Sequence, residues 1–164
     1  MTKKSAAPIV RSPLGPNGER TVGASDFFVT YLTTALEPTE ILIETRFPTL
    51  PPRTGWSVME VARRHGDFAL AGAMSTVTLD DEGRCASARL VLFGVGATAV
   101  RARKAEQMLA GERPEPTLLE RAGRAAAEEI DEPLTDVHAS ADYRRDLAGV
   151  LGRRALAEAA ARAA

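Results

Sequence analysis

With 164 residues the chain has room for about one domain and one compact core, so neither metal nor disulfide is needed to hold it. Its 21 basic and 22 acidic residues leave a net charge of -1, too little one-signed field to hold nucleic acid or an anionic membrane surface. The lone Cys85 excludes an internal disulfide or a multi-thiol metal site, and no stretch approaches the ~20 apolar residues of a membrane span or a signal-peptide core, so a soluble, cytoplasmic protein without metal is expected.

Residues 1 to 24 are dense in Pro and Gly and read as an irregular lead-in with at most one strand near Pro8 to Arg11 and a turn at PNGE, 16 to 19. From Ser25 to Leu36 the apolar spacing is helical, but Val29, Thr30, Thr33 and Thr34 are β-branched. A continuous helix and a short helix followed by an extended piece therefore both stay open. Glu40 to Phe47 alternates with the period of a half-buried strand, which Pro48 and the Pro51-Pro52 pair end.

Trp56 to Ala62 predicts a short strand, RRHGD at 63 to 67 a turn, and Phe68 to Leu79 an apolar run with an initial helical turn that becomes a strand by Ser75. DDEG, 80 to 83, supplies a hairpin turn, and Ala86 to Gly94 the return strand. These strands and the one at 40 to 47 are expected to form one small antiparallel sheet.

After Val100 the period becomes helical. Val100, Lys104, Met108 and Leu109 suit a helix stopped by Gly111 and Pro114, and Thr117 with Glu120 reads as a capping box opening a second. That second helix turns Leu119, Ala122, Ala126 and Ile130 to one face. A third begins near Ser140 and carries Tyr143, Leu147, Val150, Leu151 and Leu156 toward the same core. Strands followed by helices give an α+β class.

His65 and Asp67 are spaced for an acid–base pair, since a carboxylate beside an imidazole fixes its tautomer; the local alternative has Asp67 serving backbone N–H groups of a turn and is preferred. Glu60 and Glu44 lie near Arg46, Arg63 and Arg64, which suits solvated cross-strand pairs better than catalytic carboxylates. Trp56, just past a Gly/Pro-rich loop, suits either a stacking platform for a planar ligand or a plug at the end of the core. Gly94-Val95-Gly96 lacks the remaining elements of a phosphate loop and reads as a connection, and His138 reads as a solvated loop residue.

Three ordered segments go further: EVARRHGDFALAG at 60 to 72, RLVLFGVGATAVRARKAE at 89 to 106, and DYRRDLAGVLGRRALAEA at 142 to 159. Together they resemble the C-terminal domain of the flavoprotein (medium) subunit of molybdenum hydroxylases of the carbon-monoxide dehydrogenase and xanthine dehydrogenase type. Residues 18 to 48 are similar to the join between that subunit's flavin-binding domain and its C-terminal domain. The resemblance implies a three-stranded antiparallel sheet packed on a three-helix bundle over 38 to 164, preceded by an N-terminal extension over 1 to 37. It implies an oxidoreductase whose medium subunit carries FAD, takes electrons from iron–sulfur clusters after hydroxylation at molybdenum, and uses this domain to cover the isoalloxazine.

The family's glycine-rich FAD segments have no counterpart here, because the sequence has no Gly-Gly pair. The expectation is a detached or accessory domain of the FAD subunit that does not bind FAD tightly by itself. Trp56, Val58 and Met59 map to the loop against the flavin. Near Ala97 to Ala99 the family's proline is absent, so that loop is expected to differ. Flavin-binding, iron–sulfur and molybdenum subunits are the implied partners. The alternative is a free-standing recruited domain, a cofactor-independent biosynthetic enzyme with its own small-molecule pocket and Glu60, His65 and Asp67 as candidate catalytic residues. An apolar sheet face or edge left uncovered would then be hidden by residues 1 to 36 or by a second copy in a homodimer.

Overall fold

The computed structural model describes residues 9–15 and 18–164. The chain divides into two compact units, one ending at Leu50 and the other comprising Pro51–Ala164.

In the first unit, β1 (Ile9–Gly15) and β2 (Gly18–Gly23) pair antiparallel, where an irregular lead-in is expected from the Pro and Gly content. The ladder shifts register between Ser12 and Gly15, the interval holding Pro13, which has no N–H to give to a ladder. Pro8, Pro16 and Asn17 lie outside the described residues. α1 (Ala24–Phe27) is a single turn, followed by the hairpin of β3 (Phe28–Thr30) and β4 (Thr33–Thr34), so the β-branched residues prevail over the helical spacing.

Only Glu44–Arg46 of the predicted strand at 40 to 47 forms, as β5, and it pairs with β1. Val22 and Phe27 are buried, with Leu36 packed on them. Arg20 grips Glu40 through two hydrogen bonds of 2.7 Å, and the Glu37 N–H donates to the same carboxylate. The Arg20 guanidinium first, then that N–H, hold the Glu40 carboxyl down to about 2.

The second unit carries the antiparallel sheet of β6 (Thr54–Val61), β7 (Ala71–Leu79), β8 (Cys85–Phe93) and the two-residue β9 (Val100–Arg101), in that order. Then come α2 (Arg103–Leu109), α3 (Pro116–Glu128) and α4 (Ala141–Ala163). The expectation of a three-stranded sheet on a three-helix bundle is therefore corrected. Four strands form this sheet, the predicted strand at 40 to 47 belongs to another sheet, and the described residues contain four helices, although the class remains α+β. Val100, assigned to a helix from its spacing, closes the sheet instead by pairing with Leu92.

Alternation places Ala71, Ala73, Val77, Leu90 and Leu92 under the helices, and the hairpin turns at Gly83, whose φ of +74° strains any residue with a Cβ. Asp80 Oδ1 accepts from the N–H groups of Glu82 and Arg84, as an Asx turn does. Cys85 is fully buried, and burial pushes its thiol up to about 11, so it is no nucleophile.

The capping box at Thr117 does not form. Glu115 is the N-cap without a side-chain bond, and Pro116 takes the first helical position, where its missing N–H costs nothing. Ser140 does cap α4, its Oγ accepting from the Tyr143 N–H at 3.2 Å. α4 lies across β6 and β7 with Ala148, Ala155, Ala159 and Ala163 buried. Tyr143 and Val150, expected in the core, face outward instead.

Candidate functional site

Two loops meet at the end of the second unit's sheet. On one side the RRHGD turn joins β6 to β7; the Asp67 N–H closes it onto the Arg64 carbonyl at 3.1 Å, and the Leu70 N–H bonds the Val61 carbonyl. The turn leaves His65 and Asp67 exposed and thrusts out Phe68, which is 88% exposed. On the other side runs the α3–α4 connection, tied down by the Leu134 N–H on the Val95 carbonyl. In it Asp136 Oδ1 accepts from the N–H groups of His138 and Ala139 at 2.8 and 3.0 Å.

Arg144, in the first turn of α4 and only 3% exposed, joins the two sides. Its guanidinium donates to the carbonyls of Leu70 and Gly94 at 2.5 and 3.0 Å and to Asp136 Oδ2 at 2.6 Å. Backbone N–H donation from His138, followed by Ala139 and Arg144, holds the Asp136 carboxyl below its usual range.

Between the loops lies a cleft of about 350 Å³ lined by Arg63, Gly66, Asp67, Phe68, Leu70 and His138. Arg63 Nη1 stands 2.8 Å from His138 Nδ1. A guanidinium only donates, so in this bond Nδ1 accepts and His138 carries its proton on Nε2. The cleft thus offers an exposed aromatic ring, a cation and an imidazole N–H within one concavity. That combination suits the edge and face of a planar, polar heterocycle.

The expected site residues are distributed differently. Trp56, Val58 and Glu60 stand on the outer face of β6, and Met59 packs against the core. Arg162 donates to the Trp56 carbonyl at 2.7 Å and sets its guanidinium 5.1 Å from the centre of the indole ring, so a cation already covers that ring. Among the described residues no side-chain hydrogen bond joins His65, Asp67 and Glu60, while Glu44 pairs with Arg46 in the first unit. Only Asp67 of the expected residues reaches the cleft.

His138, read as solitary from its loop position, is engaged by Arg63. Phe68, Arg63, Asp136 and Arg144 carry the arrangement and were not singled out from the sequence; the one signal was a large aromatic directly after a Gly-Asp turn, which the apolar run beyond it disguised. Among the described residues no group of three or more His, Cys, Asp or Glu is placed to hold a metal, and no helix is long and apolar enough to cross a membrane.

Phe68 gives the cleft an aromatic face and the Arg63–His138 pair gives it polar groups, but among the described residues Arg63 is the one cation lining it, and the sequence has no Gly-Gly pair to cradle the pyrophosphate of a dinucleotide.

The profile of the family described as "CO dehydrogenase flavoprotein C-terminal domain" matches residues 56–159. The chain is 37% identical over 146 residues to the 6-hydroxypseudooxynicotine dehydrogenase complex subunit alpha of Paenarthrobacter nicotinovorans, covering 89% of this chain and 49% of that one. It is 37% identical over 149 residues to the carbon monoxide dehydrogenase medium chain of Afipia carboxidovorans, covering 91% and 51%. A solved structure of carbon monoxide dehydrogenase from Hydrogenophaga pseudoflava superposes with a TM-score of 0.89 at 36% identity, covering 98% of this chain and 55% of that one. The chain spans about half the length of the curated relatives it matches.

Proposed function

We propose a function that proceeds from one fact: the chain belongs to the CO dehydrogenase flavoprotein C-terminal domain family. Within the FAD-carrying medium subunit of a molybdenum hydroxylase, the second unit is the part that closes over the isoalloxazine. The cleft between the RRHGD turn and the α3–α4 connection is the surface that meets the ring. Bound flavin supplies electron transfer within the enzyme. This chain supplies a wall.

The observation that carries the reading is Phe68, held 88% exposed at the lip of a cleft by a turn that is itself bonded to buried Arg144 through Leu70. An aromatic ring kept out of the core needs an apolar partner to hide it, and a planar ring system is the partner its face fits. Arg63 and His138 line the same concavity, hydrogen-bonded to each other, and both carry N–H groups of the kind that ring carbonyls and nitrogens accept. The pyrophosphate is held elsewhere, by the flavin-binding segment that precedes this domain in full-length relatives. Iron–sulfur and molybdenum subunits complete the enzyme, in the cytoplasm. The missing link among Glu60, His65 and Asp67 removes support from a self-contained acid–base enzyme.

The test is spectroscopic. Alone, the chain is expected to leave the absorption and fluorescence of added FAD unchanged. Mixed with a medium-subunit segment that carries FAD, it should form a complex and quench or shift the flavin bands. Phe68→Ala should weaken that effect about two- to thirteenfold, the ~0.5–1.5 kcal/mol of an aromatic contact, with the far-UV dichroism unchanged. Failure to form a complex with any flavin-binding, iron–sulfur or molybdenum subunit would overturn the reading.

A further inference from the structure

We propose that a second cleft, at the other end of the sheet from the flavin-facing one, docks an acidic segment of a partner protein. The inference concerns a separate surface and does not rest on the flavin reading. β7 runs from the RRHGD turn to the hairpin turn at Gly83, so its nine residues set the two clefts roughly 25 Å apart.

The cleft encloses about 470 Å³ where the β7–β8 hairpin, the α2–α3 connection and the first turns of α3 meet. Backbone bonds hold its walls together. The Cys85 N–H donates to the Glu112 carbonyl at 2.8 Å and the Gly111 N–H to the Cys85 carbonyl at 2.9 Å, so the connection is laced onto the first residue of β8. Arg84 Nη1 ties the same two segments by donating to the Gly111 carbonyl at 3.3 Å. Because Cys85 is fully buried, both are anchored to the core. A cleft held this way exists before a partner arrives, which lowers the ordering cost of binding.

Arg113 and Arg121 are exposed, line the cleft with Arg84, and among the described residues make no hydrogen bond or ion pair. Arg101, Arg124 and Arg162, exposed as well, each pair with a carboxylate near them. Glu112 and Glu115 also line the cleft, and neither pairs with its arginines. The half-buried Met108 and Leu118 supply the apolar part of the lining.

This distribution selects the occupant. Three guanidiniums against two carboxylates leave one positive charge in excess, too little for a compact polyanion such as phosphate, whose oxygens would also meet Glu112 and Glu115. A peptide spreads its groups along its length. Its side-chain carboxylates suit Arg113 and Arg121, its backbone N–H groups suit the two glutamates, and an apolar side chain between its carboxylates covers Met108 and Leu118. The run EEIDE at 128 to 132 of this chain has that pattern, but its Ile130 is buried in the core, so the occupant is another protein rather than a second copy.

Fluorescence anisotropy of the full chain with a labelled peptide, a leucine flanked on each side by two glutamates, tests this. The expected result is saturable binding that weakens as salt rises. Arg113→Glu combined with Arg121→Glu should weaken it about tenfold or more, with the dichroism melt unchanged because both side chains are exposed and unpaired. Arg103→Glu combined with Arg154→Glu, the same charge change at exposed positions outside the cleft, should leave binding within about twofold. A peptide with serine in place of leucine, which leaves the protein untouched, should bind about threefold or more weakly. Absence of saturable binding overturns the proposal. So does an equal loss in the Arg103–Arg154 double variant, or competition by inorganic phosphate as effective as that by unlabelled peptide.

Discussion

Gly55 sets how closely α4 lies on the sheet. A Cβ built there would stand 1.9 Å from the Ala159 carbonyl oxygen and 2.7 Å from the Ala163 nitrogen, both backbone atoms of α4 that cannot step aside singly. Gly55→Ala is therefore expected to destabilise the second unit by about 1–3 kcal/mol or more, the range of overpacking in a tight core, lowering its thermal midpoint in a dichroism melt. A melt equal to the wild type would show that α4 is not packed as described. The alanines at the end of α4 were not legible as a core face: with Arg153 and Arg154 the Ala-rich tail reads as a solvated helix face, whereas Ala155, Ala159 and Ala163 are buried. Their partner was not legible either, because a glycine before a tryptophan reads as loop. The same locality hid Phe68: at the head of an apolar run it reads as core, and it is almost fully exposed.

At the scale of elements, the clamp of Arg144 and Asp136 joins the start of α4, the end of β8, the entry to β7 and the α3–α4 connection. Because Arg144 is buried and satisfies acceptors from separate segments, Arg144→Gln should cost on the order of 3 kcal/mol and loosen both walls of the cleft. Asp136 answers through pH. Its carboxyl is held below the usual range when folded, so its contribution is present above the ordinary value of ~4 and lost as pH falls further. Asp136→Asn is expected to lower stability at neutral pH and flatten the acid limb, so that the two proteins converge as the pH falls below the ordinary carboxylate range. A parallel offset through the whole acid limb would sink the assignment. Little of this clamp could be read from the chain, since 136 and 144 are separated by an irregular segment and their meeting with Leu70 and Gly94 is purely tertiary. The helix start at Ser140 was readable, because a cap acts within three residues. The capping box at Thr117 was misread because Pro116 claimed the first helical position.

At the scale of the molecule the two units differ in how much they bury. The second contains the larger core cluster, drawn from β7, β8, α2, α3 and α4, and its elements pair among themselves. The first buries only Val22 and Phe27 among its described residues, while Phe28, Tyr31, Leu32, Ile41 and Phe47 remain exposed. Segregated strands and helices revealed the α+β class from the sequence, but strand partners did not follow, since alternation in 40 to 47 reports a half-buried strand without naming the sheet it joins. It pairs with β1, in a different sheet from β6. The difference in burial predicts a difference in autonomy. Residues 51–164, expressed alone, should unfold in one cooperative thermal transition, because their core and ladders are complete within that span. A peptide of residues 1–50 should show no cooperative transition, because a piece of that size with so small a core falls at the limit near ~40 residues where chains need staples or partners to fold. Cooperative melting of the short piece, or its absence in the long one, would reverse the assignment of stability between the two units.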